Sequence, residues 1–331
     1  ARSDVMLENY TPRVMENWRL TYEDVVAVKP DIVYARMPMQ GLSGPYRDFL
    51  GFGGIIGPVA GYAALTGWPD REPIGFAPNN FPDFVINCGH AAIAILAALR
   101  YRKRTGKGQQ IELAQVESTA ATLGQYLLQY TVNGRVPIRN ANRSDVAAPH
   151  GAFRAAGPGG PGSEAQGRAS QTSDDRWVAI AVFNDAQWEG LVAAMGWPEW
   201  TGDERFQTFL GRKLHEDSLE RHVEAWTALH SPEETLHLLQ EQGVPSGAVQ
   251  TAQDVLDHDE HLRERGYYVY LDHPETGRSA YDGTPARLSA TPAVLETPAP
   301  LLGQHNDHVL REILRYDDEE IASLLMEQVV Y

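Results

Sequence analysis

Asp83 is the residue of this chain most able to do covalent chemistry. Between Asp70 and Glu112 the only other acid is Glu72. Asp83 follows Pro82 and precedes an apolar run, Phe84 to Leu99, in which only Asn87 and His90 are clearly polar. A carboxylate at a helix N-terminus is held ionised by backbone N–H groups and the macrodipole, and it points outward. In such a place it can act as a nucleophile within a site built from backbone donors. The plain alternative is a helix cap, since Asp is among the best N-cap residues and Pro is tolerated before or at the first turn. Position alone does not separate the two readings.

The elements that must position Asp83 are legible around it. The run to Leu99 predicts a helix apolar on all faces, hence buried, and too short and interrupted to span a bilayer. Arg100, Arg102, Lys103 and Arg104 crowd its C-terminal end, where the dipole favours cations, and Gly106 and Gly108 end it. The sole cysteine, Cys88, is expected to be inert packing inside it. Gln110 to Leu113 alternates as a short strand, with a helix from about Val116. Upstream, helices are expected at Pro12–Trp18 and Tyr22–Ala27, and a strand at Ile32–Met37. Downstream, Leu127–Arg139 should continue helical, Gly151–Ala155 and Trp177–Phe183 should be strands, and Ala186–Met195, Lys213–Leu229 and Ser231–Gln242 amphipathic helices. Tyr267–Leu271 and Arg287–Ser289 are expected as short strands and Asp317–Glu327 as a final helix. The alternation predicts an α/β fold.

Six segments in order carry a family resemblance. They are Leu7-Glu8-Asn9-Tyr10-Thr11-Pro12, Ser43-Gly44-Pro45-Tyr46-Arg47-Asp48, Gly61 with Leu65-Thr66-Gly67, Ala94–Leu99 with Arg104-Thr105-Gly106-Lys107-Gly108-Gln109, Gly243-Val244-Pro245-Ser246-Gly247, and Pro300-Leu301-Leu302-Gly303-Gln304-His305. Together they resemble the family III CoA-transferases, which include formyl-CoA, carnitine and benzylsuccinate CoA-transferases. The resemblance implies a Rossmann-like large domain and a smaller α+β domain, in dimers whose chains pass through one another as linked rings. It implies domain limits of 1–180 for the large CoA-binding domain, 181–290 for the small one and 291–331 for a return to the large one. Family members carry a further N-terminal segment and this chain begins just upstream of Glu8, so it is expected either to be a fragment or to have the missing part supplied elsewhere.

By that resemblance Asp83 attacks an acyl-CoA thioester, forms a mixed anhydride and then an aspartyl-CoA thioester, and the acceptor acid ends up carrying CoA. CoA is then a substrate, with no permanently bound cofactor and no metal. Asn9, Tyr10, Arg36, Arg47, Arg102, Lys103 and Arg104 become candidate CoA contacts. One departure stands out: Asp83 lies one residue further from the Ala94–Leu99 block than the family spacing.

α-Methylacyl-CoA racemases share the fold and use a His-Asp pair in a G-H-D-x-N-Y segment. The matching stretch here, Gly51-Phe52-Gly53-Gly54-Ile55-Ile56, has neither residue, and two-base chemistry needs two titratable groups. That favours transfer over racemisation. The glycines 51, 53 and 57 miss the dinucleotide fingerprint and suit close packing or CoA contact. His258 with His261 and His305 with His308 read as solvated polar faces more readily than as metal ligands. The run Gly157 to Gly162 reads as a hairpin insertion rather than an active-site lid. A non-catalytic subunit of a CoA-transferase is the alternative of a different class.

Composition agrees with an enzyme. The 331 residues have 43% hydrophobic content, enough for a real core. The net charge of −16, from 28 basic and 44 acidic residues, argues against nucleic-acid or anionic-membrane partners. One cysteine suggests a reducing, cytoplasmic compartment. The partners expected are an acyl-CoA, an organic acid, and a second copy or a related subunit.

Overall fold

A computed structural model describes residues 2–74, 81–157 and 175–330. The Gly157–Gly162 insertion lies outside these from residue 158 onward. Contacts divide the chain into two units, 1–247 and 248–331.

The first unit opens with three parallel strands, β1 (Val5–Glu8), β2 (Val33–Arg36) and β3 (Gln109–Glu112), in the order β1-β2-β3. β2 is central and buried throughout, as a fully covered parallel strand should be. The helices before β3 are α1 (Pro12–Asn17), α2 (Tyr22–Val28), α3 (Gly53–Ala60), α4 (Tyr62–Leu65) and α5 (Cys88–Thr105). A π-helical turn, Pro82–Asn87, leads into α5. The capping box of Thr21 and Asp24 starts α2, and left-handed Gly106 ends α5. Gly108 has no room for a side chain: a Cβ there would lie 2.0 Å from the Ile32 carbonyl oxygen, at the point where β3 joins β2. The unit is an α/β fold.

α6 (Gln115–Ala121) and α7 (Gly124–Asn133) follow. α7 stops at left-handed Gly134, so the helix expected to run to Arg139 ends one and a half turns earlier. Next come β4 (His150–Arg154), β5 (Trp177–Ala181), α8 (Asp185–Ala194), α9 (Phe209–Leu214), α10 (Glu216–Thr227), α11 (Pro232–Glu241) and β6 (Ser246–Ala248). β4 and β5 are antiparallel, and β6 completes that sheet. Its core gathers Val178, Ile180, Leu191, Phe206, Leu219, Val223 and Leu239. The single helix expected over Lys213–Leu229 is two, broken at His215.

The second unit holds α12 (Glu260–Glu264), an antiparallel hairpin of β7 (Tyr268–His273) and β8 (Gly277–Asp282), and α13 (Asp318–Met326). Two further π-turns lie at Asp254–His258 and His308–Ile313. Arg287–Ser289 is not a strand. β7 finds its partner in Gly277–Asp282, the segment that the tight turn at left-handed Gly277 brings back alongside it.

α5 departs most from expectation. Only Ala91 and Ala98 are buried on it, while Ile93 is 72% and Leu96 66% exposed. Phe84 and Val85 in the preceding turn are exposed as well, and so is Cys88. The all-round apolar character is real, but this chain covers only one face of the helix. Pro82–Thr105 runs 24 continuous residues, long and apolar enough to cross a bilayer by length and composition alone. That corrects the expectation of a helix too short to do so. Its polar anchorage into the first unit, through Asn87, is described next.

Candidate active site

Asp83 sits in the first turn of the π-helical segment, whose N-cap position is Phe81, and its side chain makes no cap bond there. The capping reading therefore fails for its own helix. The backbone N–H of Gly53, the first residue of α3, lies near enough to lower the carboxyl's pKa. Asp83 thus faces the N-terminus of a different helix, where a carboxylate is stabilised by the orphan donors and the dipole. Burial pushes its carboxyl above the usual carboxylate range, and the Gly53 N–H opposes that. Among the described residues no cation contributes to holding Asp83 ionised.

Such a carboxylate is suited to nucleophilic attack. Half-burial strips water from an anion that no counter-ion quenches. A carboxylate oxygen that no cation engages can attack a carbonyl carbon. When Asp83 itself carries an acyl group or CoA, the next attack falls on its own carboxyl carbon. The oxyanion that forms there lies near the start of α3, whose unpaired N–H groups can stabilise it.

The π-turn is tied down by a buried polar relay. The Ser118 hydroxyl donates to Asn87 Oδ1, Asn87 Nδ2 donates to Gln115 Oε1 at 3.0 Å, and Gln115 Nε2 donates to the Met37 carbonyl at 2.6 Å. Asn87 is only 1% exposed. Met37 follows β2, so the relay links the Asp83 turn and α6 to the carboxyl edge of the parallel sheet. In open α/β sheets that edge is where ligands bind.

Several sequence candidates meet at that edge. Glu8, Arg36 and Glu112 end the three strands in register. Arg36 Nε donates to Glu8 Oε1 at 2.6 Å, and Glu8 Oε2 accepts the Tyr10 N–H at 2.8 Å. Arg36 is 6% exposed and its Nη2 is buried without a hydrogen-bond partner. Asn9 and Tyr10 follow β1 and are exposed, the Tyr10 ring standing edge-on to Trp18 at 5.4 Å. Glu112 Oε1 accepts the Leu42 N–H at 2.6 Å, which secures the loop leading to Arg47. Arg47 itself is paired with Glu16 at 2.5 Å.

Other candidates lie elsewhere. Arg102, Lys103 and Arg104 stand at the far end of α5, about 30 Å from Asp83 at 1.5 Å per residue. Arg102 is taken up by Asp4 at 2.8 Å and Asp31 at 2.5 Å. The structure does not bring this basic cluster to the Asp83 carboxylate. The loop leading into β4 is pinned from the side. Lys213 Nζ donates to the Ser144 carbonyl at 2.8 Å, and neighbouring Arg143 is held by Glu220 at 2.6 Å and Asp217 at 2.5 Å. A cavity of about 420 Å³ adjoins it, lined in part by Trp68, His150, Phe153 and Trp177. Among the described residues, no three His, Cys, Asp or Glu side chains converge as a metal site.

Sequence reasoning missed Gly53 as a donor and the Asn87–Gln115–Ser118 relay. The one available signal was Asn87, a polar residue inside a run of apolar ones.

A half-buried carboxylate on a turn tied to the carboxyl edge of a parallel sheet fits an α/β enzyme. The family model of CoA-transferase family III matches residues 1–306. The chain belongs to this family and is a transferase of CoA groups. It is 30% identical to the succinyl-CoA–D-citramalate CoA-transferase of Chloroflexus aurantiacus, over 99% of this chain and 76% of that protein. It is 28% identical to the succinyl-CoA:glutarate CoA-transferase of Mus musculus, over 99% of this chain and 70% of that protein. A CAIB/BAIF family protein from Brucella suis has a related structure. Its TM-score is 0.78 and its identity 29%, over 94% of this chain and 75% of that one.

Proposed function

We propose that this protein moves CoA from an acyl-CoA donor to an organic acid through a covalent intermediate on Asp83. The observation that carries the reading is the half-buried Asp83 carboxylate beside the start of α3, where the Gly53 N–H opposes the rise that burial causes. A carboxylate oxygen attacks the thioester carbonyl. The new C–O bond replaces the C–S bond, and CoA thiolate leaves. The thiolate attacks the Asp83 carboxyl carbon, giving aspartyl-CoA thioester and releasing the donor acid. The acceptor carboxylate attacks that thioester, and the thiolate released attacks the acceptor's carbonyl, restoring Asp83. No proton is gained or lost, so no general acid is required.

The named relatives support dicarboxylates as substrates, with succinyl-CoA as donor. Asn9, Tyr10 and Arg36, at the carboxyl edge, are the CoA contacts nearest in the fold to the relay, and Arg47, Arg102, Lys103 and Arg104 remain proposed contacts. The exposed apolar face of α5 supports a dimer. Relatives named as alpha and beta subunits at 30% and 29% identity make a heteromer with a related chain the other form. The domain limits near 180 and 290, and a cytoplasmic location, belong to the same reading.

The test is intact-mass analysis of wild type and Asp83→Ala after incubation with a panel of acyl-CoAs, succinyl-CoA first, and then hydroxylamine. A hydroxamate on Asp83, absent from the variant, is the expected result. No mark with any donor would return Asp83 to a structural role and favour the non-catalytic subunit.

A further inference from the structure

We propose that the π-turn Pro82–Asn87, locked by the Asn87–Gln115–Ser118 relay, is the device that positions the Asp83 carboxylate, with Asn87 as its positioning residue. The inference rests on Asp83 being the nucleophile, and it says what sets that residue's reactivity.

Two independent observations meet here. The first is spacing. Asp83 stands in a π-turn directly before α5, so one residue more than an α-helical turn needs lies between it and that helix. A π-turn is an α-helix with one residue added, and such turns recur at functional sites. Removing one residue between Asp83 and α5 would swing Asp83 by about 100° around the helix axis, away from the Gly53 N–H. The Cys88 thiol, donating at 2.9 Å to the Asp83 carbonyl five residues back, belongs to the same widened turn.

The second is the relay itself. Asn87, Gln115 and Ser118 are all buried. Each amide uses its oxygen as acceptor and its nitrogen as donor in one consistent direction, ending on the Met37 carbonyl. Apolar side chains would fill such a site at lower desolvation cost. What a satisfied buried network adds is a single arrangement. Here it fixes the C-terminal end of the turn that carries Asp83 against α6 and the end of β2. Asn87 acts on Asp83 through four residues of backbone.

The experiment compares wild type, Asn87→Leu, Ser118→Ala and a deletion of Val85. It measures thermal melting, kcat and KM for CoA transfer, the acid limb of the kcat profile, and the rate of Asp83 hydroxamate formation. Asn87→Leu is expected to keep KM, to lose about 10²-fold in kcat, and to move the acid limb toward the ordinary carboxylate range. The deletion should abolish the hydroxamate. Ser118→Ala should give a smaller loss of the same kind, and it carries the test if Asn87→Leu does not fold. Folded variants with wild-type kcat and acid limb would overturn the proposal while leaving transfer through Asp83 intact. A wild type that forms no hydroxamate would overturn the nucleophile, and the positioning role with it.

Discussion

At Asp83 two effects oppose each other. Burial raises the carboxyl's pKa and the Gly53 N–H lowers it, with burial the larger. The folded value therefore lies above the unfolded one. The sign of the linkage follows: the stability this group contributes is fully present below the ordinary carboxylate range and is lost as pH rises through the raised value. At neutral pH the ionised carboxylate is a cost to the fold. Asp83→Asn, which keeps the shape and removes the charge, is expected to melt at the wild-type temperature or above at pH 7. Transfer should fall by at least about 10³-fold. Calorimetry and a transfer assay on one preparation check both, and a clear fall in melting temperature would contradict the strained-anion account. Only the anion attacks, so wild-type kcat should decline on acidification through a pKa above the usual carboxylate range. A limb at or below that range would count against the burial seen here.

At the scale of elements, the parallel sheet depends on one close approach. A side chain at Gly108 would meet the Ile32 and Asp31 backbone, which has no rotamer to yield. Gly108→Ala is expected to destabilise the first unit by about 1–3 kcal/mol, read by urea unfolding. Gly51→Ala differs, since its nearest neighbour is the flexible end of Met39, and a smaller loss is expected. The contrast tests whether backbone contact rather than crowding as such makes glycine necessary. Element types were largely legible in the sequence, because caps and periodicity are local: the Ser231–Glu234 and Asp317–Glu320 capping boxes fall at the expected helix starts. Errors came where a local stop or a pairing choice decided. Gly134 ended α7 early, and β7 chose Gly277–Asp282 over Arg287–Ser289.

For the whole molecule, α5 leaves an apolar face exposed within a single chain. Ile93 and Leu96 are fully apolar, mostly exposed and one turn apart on a helix, an arrangement more usual at an interface than on free surface. Introducing Ile93→Lys and Leu96→Lys together is expected to disrupt the proposed dimer, read as a monomer mass in light scattering. Unchanged mass would remove α5 from the interface. The overall charge of −16 is compatible with a polyanionic substrate only if cations gather locally. Arg36 and Arg102 show how those are committed, each already paired to a carboxylate.

The sequence by itself determined the α/β class, the family and the singular status of Asp83, because these rest on residue order, local periodicity and the types at short spacing. Only the tertiary structure decided that Asp83 lies in a π-turn, that Gly53 at the start of another helix lies near it, and that Asn87 is bonded across 28 residues to Gln115. Those contacts join segments distant in the chain, and no local propensity encodes which backbone N–H will meet a given carboxylate once helices pack. The same holds for α5. Its composition says that every face is apolar, but which face this chain covers is fixed only by where β2 and β3 come to lie.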